Sequence, residues 1–124
     1  MPLIVTRITV TVLGMLIVFT SGLRLTRAGT PYNALVLAAH KLVSLGLLVF
    51  LVAVVLQVNR TAALAWGAWL AVGLCAAAFV GAITSGGRLA ARGVAPEIFR
   101  LAHHILPWLV FVGCAVMLAL LLRG

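Results

Sequence analysis

Thr20-Ser21-Gly22-Leu23-Arg24-Leu25 returns 64 residues later as Thr84-Ser85-Gly86-Gly87-Arg88-Leu89, with five of the six positions identical. At the same offset Gly29 matches Gly93, Leu37 matches Leu101, Ala38 matches Ala102 and His40 matches His104. From Thr20 to His40 nine of 21 pairs are identical. Chance in so biased a composition gives roughly two or three, and self-similarity at a fixed offset marks a repeated unit. Coincidence among Ala, Leu, Gly and Arg is the competing explanation. It is weakened because Thr, Ser and His are among the matches.

The sequence around these stretches is strongly apolar. Of 124 residues 65% are hydrophobic, and the mean hydropathy is +1.32. A soluble domain of this size cannot bury so much apolar surface, and a disordered chain does not carry it. Four stretches, 3–23, 34–58, 62–84 and 98–122, reach the ~20 apolar residues that a membrane helix needs. Pro31 and Pro96 stand just before the second and fourth, where a missing N–H costs nothing. Asn33 and Glu97 follow them, at helix starts that favour polar or anionic groups. No A-x-A site closely follows the first stretch and it has a partner later in the chain, so it reads as a span rather than a cleaved signal peptide. The expected fold is all-α: an integral membrane four-helix bundle built from two tandem helical hairpins with pseudo-twofold symmetry. It forms a single transmembrane domain over 1–124, with hairpin repeats at about 1–60 and about 61–124.

Nine Lys+Arg against a single acidic residue give a net charge of +8. The cations are spread over short loops and helix ends without a basic stripe or interleaved aromatics, so no nucleic-acid partner is expected. They instead address the bilayer. Arg7, Arg60 and Arg123 fall on one face, and Arg24, Arg27, Lys41, Arg88, Arg92 and Arg100 on the other. The excess predicts loops one and three in the cytoplasm and both termini outside. With Glu97 as the only carboxylate side chain, paired-carboxylate catalysis and acid-driven proton coupling are excluded. That also sets the chain apart from small four-span multidrug transporters, which it resembles in size only.

The repeat gives its histidines a geometry. His40 and His104 each lie about six residues into parallel spans, about 9 Å from the helix start. If spans two and four face each other diagonally, the two imidazoles meet at one depth as axial ligands for one haem iron. His103 competes with His104, but adjacent helical residues point about 100° apart and the repeat selects His104. Hydrogen bonding of a lone intramembrane His to a neighbouring helix is the plainer alternative. Arg24, Arg88, Arg100 and Lys41 are candidates to pair with haem propionates. Gly22 and Gly86 are candidates to let helices close on a flat macrocycle, and Trp108 is a candidate to stack at its edge. Zinc is disfavoured, since Cys75 and Cys114 are isolated and no CxxC is present. Both cysteines read as small buried hydrophobes that could approach each other.

Ser21-Gly22-x-Arg24…His40 and Ser85-Gly86-x-Arg88…His104, on a four-span scaffold, resemble the small membrane b-type cytochromes of the bacterial cytochrome b561-like kind. The resemblance implies haem b, electron transport and a bacterial inner membrane. Those proteins hold two haems on four His, whereas three His here allow one. The expected function is therefore a single-haem electron carrier, with a quinone or another redox subunit as partner, within an oligomer or larger complex. No catalytic nucleophile or general acid is evident, so any enzymatic role would be as the electron-transfer subunit of an oxidoreductase. The alternative is a non-redox membrane subunit or assembly factor.

Overall fold

The computed structural model describes residues 2–92 and 96–123. They form α1 (Pro2–Ala28), α2 (Ala34–Thr61), α3 (Trp66–Arg92) and α4 (Glu97–Arg123), with no strand among the described residues. All four are long and apolar enough to cross a membrane. At 27 or 28 residues each, they run about 40 Å, through the hydrocarbon core and into both headgroup layers. The protein is an all-α four-helix bundle of membrane-spanning type.

The helix ends differ from the hydropathy reading. The stretch 85–92, expected in a loop, continues α3, and α1 continues to Ala28. Span three was expected to begin at 62 but starts at Trp66. Arginines near helix ends do not stop a membrane helix, because their long stems let the charged heads reach water. Local chemistry sets the actual ends. Gly29, at φ 70, takes the left-handed conformation beyond α1, and its N–H bonds the Leu25 carbonyl at 3.1 Å. Asn33 caps α2: its Oδ1 accepts from the N–H groups of Leu35 and Val36 at 3.0 and 3.1 Å. Asn59 Oδ1 accepts from Leu64 N–H in the turn that leads to α3.

Contacts are most extensive within the hairpins α1/α2 and α3/α4. The hairpins meet more sparsely, along α2/α3 and α1/α4, so α2 and α4 stand diagonally across the bundle. Small residues set the close approaches. Gly14 lies under Leu47, Gly81 under Leu106, and Gly113 against Cys75. The buried core includes Met15, Leu47, Leu51, Val55, Cys75, Phe79, Val110, Cys114 and Met117. It fills the half of the bundle away from the helix starts of α2 and α4. At the far end of the first hairpin, Arg7 Nη2 donates to Gln57 Oε1 at 2.8 Å.

The repeat is visible in the fold with a one-residue correction. α1 and α3 end 64 residues apart, at Ala28 and Arg92, but α2 and α4 begin 63 apart, at Ala34 and Glu97. The second connection is one residue shorter than the first. Past it, His40 corresponds to His103 rather than His104: each is the seventh residue of its helix.

Candidate functional site

His40 and His103 face each other across the diagonal, with ring centroids 6.5 Å apart and ring planes inclined at 74°. Both lie about 9 Å from their helix starts, at matched depth. The expected pairing of His40 with His104 is therefore corrected. His104, one residue and about 100° further round α4, is exposed on the outside of the bundle.

Each imidazole sits in a small cradle made by the preceding helix of its own hairpin. His40 Nδ1 lies 3.0 Å from Ser21 Oγ and 3.1 Å from the Val18 carbonyl. His103 Nδ1 lies 3.2 Å from Ser85 Oγ and 3.0 Å from the Ala82 carbonyl. The cradle partners Val18/Ala82, Ser21/Ser85 and Gly22/Gly86 all stand at the 64-residue offset. The serine hydroxyls donate to helix carbonyls, Ser21 to Ile17 at 2.6 Å and Ser85 to Ala82 at 3.1 Å. A carbonyl can only accept, and a hydroxyl that has given its proton away also accepts. Both Nδ1 atoms therefore carry the proton and donate it. Each Nε2 keeps its lone pair, and neither has a hydrogen-bond partner among the described residues. A ring nitrogen donating to a backbone carbonyl is the usual second contact of a metal-ligating histidine.

The glycines have a different role from the one expected. A Cβ on Gly22 would stand 3.1 Å from His40 Cε1, and one on Gly86 would stand 2.8 Å from His103 Cε1. The space at both positions is filled by the imidazoles themselves, so Gly22 and Gly86 seat the rings. Trp108 also lies elsewhere. Its ring packs edge-on against Phe19 at 5.6 Å and lines an apolar groove of about 280 Å³ between α1 and α4. Arg24, Lys41 and Arg100 are exposed at the end of the bundle that holds the histidines. Arg100 is one turn before His103. Arg88 is exposed too, with its guanidinium 5.8 Å from the Phe99 ring centroid.

Sequence reasoning missed His103 because both members of the His103-His104 pair match His40 in type. Counting from the helix starts instead of from the shared hexapeptide would have chosen it, with Ala39/Ala102 in support. The cysteines are buried and approach each other, as the sequence reading allowed. Cys75 Sγ and Cys114 Sγ are 3.7 Å apart in the core. No cluster of three or more His, Cys, Asp or Glu suited to a metal occurs among the described residues. What the described residues bring together is two pairs, one of imidazoles and one of thiols. No family model, curated protein or solved structure matches the chain.

Proposed function

We propose that this chain is a membrane electron carrier and that His40 and His103, on α2 and α4, would hold one b-type haem. The observation that carries the reading is the pair of imidazoles, matched in depth, with Nδ1 occupied and Nε2 bare. The spacing fits. An imidazole nitrogen lies about 1 Å from its ring centroid and about 2 Å from a bound metal, so one metal between two rings separates the centroids by about 6 Å.

When bound, the haem supplies a one-electron couple, and two imidazole ligands leave no position for substrate. The chain's own residues do the rest. Ser21, Ser85 and the two carbonyls hold the rings in one tautomer and orientation. Arg24, Lys41, Arg88 and Arg100 place positive charge at the same end, suited to the propionates. The apolar helices keep water out. We assign that cation-rich end to the cytoplasm, with both termini outside, on the positive-inside rule, and take the bacterial inner membrane from the cytochrome b561-like resemblance. A quinone or a partner redox subunit exchanges the electron.

The test is the visible spectrum of the purified protein. A reduced-minus-oxidised α-band is expected, lost in His40→Ala and in His103→Ala and kept in His104→Ala. A band that survives His103→Ala would overturn the ligand assignment. A second reading has its own observation: each Nδ1 bond ties a helix to its hairpin partner, which is how a purely structural membrane histidine acts. That reading, a non-redox subunit, expects no band in haem-replete cells and reduced thermal stability in both variants.

A further inference from the structure

The histidine site leaves the opposite half of the bundle unexplained, and that half holds every sulfur atom of the chain except that of Met1. Met15 on α1, Cys75 on α3, and Cys114 and Met117 on α4 all belong to one buried cluster, each 3–6% exposed. Cys114 and Met15 line the α1/α4 groove together, and Cys75 and Met117 line the α2/α3 groove together. The two thiols stand 3.7 Å apart. Gly113 makes room for them: a Cβ there would meet Cys75 Cβ at 3.2 Å and Sγ at 3.3 Å.

At 3.7 Å the two thiols are in hydrogen-bonding contact, and the same separation suits two ligands of one metal. With metal–sulfur bonds of about 2.3 Å, neighbouring ligands of a tetrahedral site lie about 3.8 Å apart. A disulfide requires about 2.05 Å. The repeat supplies a control for ordinary packing. The positions equivalent to Cys75 and Cys114 in the first hairpin are Thr11 and Leu51, both buried, Thr11 at 2% exposure. This depth of the fold therefore packs without sulfur, and the second hairpin has sulfur there.

We propose that Cys75 and Cys114, with Met15 and Met117 beside them, form an intramembrane site for a soft monovalent cation, Cu(I). Thiolate and thioether donors together select Cu(I) over harder ions. Charge is compatible with that ion. One thiol gives up its proton as its sulfur binds the cation, RSH + Cu⁺ → RS–Cu + H⁺, while the second thiol and the thioethers bind as neutral donors. The complex is neutral, as a low-dielectric interior requires. This site is independent of the histidine pair.

The experiment is an anaerobic titration of the purified full chain in detergent with Cu(I), against a bicinchoninate competitor. The expected result is one Cu(I) per chain with thiolate-to-Cu(I) absorption in the ultraviolet, a shell of sulfur alone by X-ray absorption, and one proton released. Cys75→Ala and Cys114→Ala each abolish the absorption. Met15→Leu and Met117→Leu, which keep the core apolar and filled, weaken binding about tenfold, or about 1.4 kcal/mol. His40→Ala and His103→Ala bind as the parent does, which separates this site from the haem reading. Circular dichroism checks that each variant is folded, and the Leu variants keep the test open if a Cys variant is not. Retention of the equivalent in the double Cys variant would overturn the proposal. So would nitrogen in the metal shell, unchanged affinity in both Met variants, or isolation of the pair as a disulfide from membranes kept anaerobic.

Discussion

The first and second hairpins build the same histidine cradle on different supports. In the first, Ser44 sits one turn beyond His40 and its hydroxyl donates to the His40 carbonyl at 2.7 Å. In the second, the equivalent position is Pro107, which has no N–H to give the His103 carbonyl. The residue after the histidine is Lys41 in one and His104 in the other, both exposed. The elements beneath the ring do not vary in kind: a serine, a carbonyl three residues before it, and a glycine one residue after it. The shared set is the part that fixes an imidazole's tautomer and position. The rest of each hairpin has diverged, with α3 and α4 drawn closer through Gly81 and Gly113 and both cysteines in the second hairpin.

The glycines give the sharpest way to break this comparison. A methyl group at Gly86 would sit 2.8 Å from His103 Cε1, and at Gly22 3.1 Å from His40 Cε1. In neither case is the obstructing atom the free end of a flexible chain, since each ring is anchored at Nδ1. Gly86→Ala should therefore cost about 1–3 kcal/mol, in the range of overpacked cores, with Gly22→Ala toward the lower end. Thermal unfolding in detergent measures both, and a larger loss at Gly22 would show that the second cradle is the looser one.

The helix starts provide a smaller contrast. α2 is capped by Asn33 through two backbone N–H groups. α4 begins at Pro96-Glu97, where the acidic side chain in the first turn does the electrostatic part of that work. Asn33→Ala is expected to cost about 1 kcal/mol. Glu97→Gln is expected to cost no more than about 0.3–1 kcal/mol, and less as salt rises. Equal losses that do not respond to salt would mean that Glu97 acts by a contact rather than by its charge.

The spans, the hairpins and the repeat were legible because they rest on composition, punctuation and identity, all of which are local. Two features were not. The partner of His40 depended on a one-residue difference between connections, 29–33 against 93–96, and a single offset carried across it selected His104. The thiol pair depended on the rotation of α3 against α4. These helices are apolar nearly all round, so no hydrophobic stripe marks the inward face. The polar residues give weak help: Thr11 and Ser44 are buried, each with its hydroxyl on a carbonyl of its own helix. A membrane helix can satisfy such groups without a neighbour, so their presence does not say which way they face. The glycines misled for a related reason, since a small residue reports close approach but not what approaches.

The smallest expected effect tests the cradle most directly. Ser21 and Ser85 each accept from an Nδ1–H that also has a carbonyl in reach. Removing either hydroxyl leaves that carbonyl as acceptor, so the tautomer should survive. The energetic loss should be that of an average hydrogen bond inside a membrane protein, about 0.6 kcal/mol. Ser85 is 3% exposed and Ser21 is only half-buried, so Ser85→Ala should cost the more of the two. Nitrogen-15 shifts of labelled histidine in the apo protein distinguish the tautomers. Protonated Nδ1 and bare Nε2 are expected at both His40 and His103, in the parent and in both serine variants. A switch to protonated Nε2 on loss of a single hydroxyl would make the serine, not the carbonyl, the group that sets the ring. It would also remove the lone pairs on which the proposed haem ligation depends.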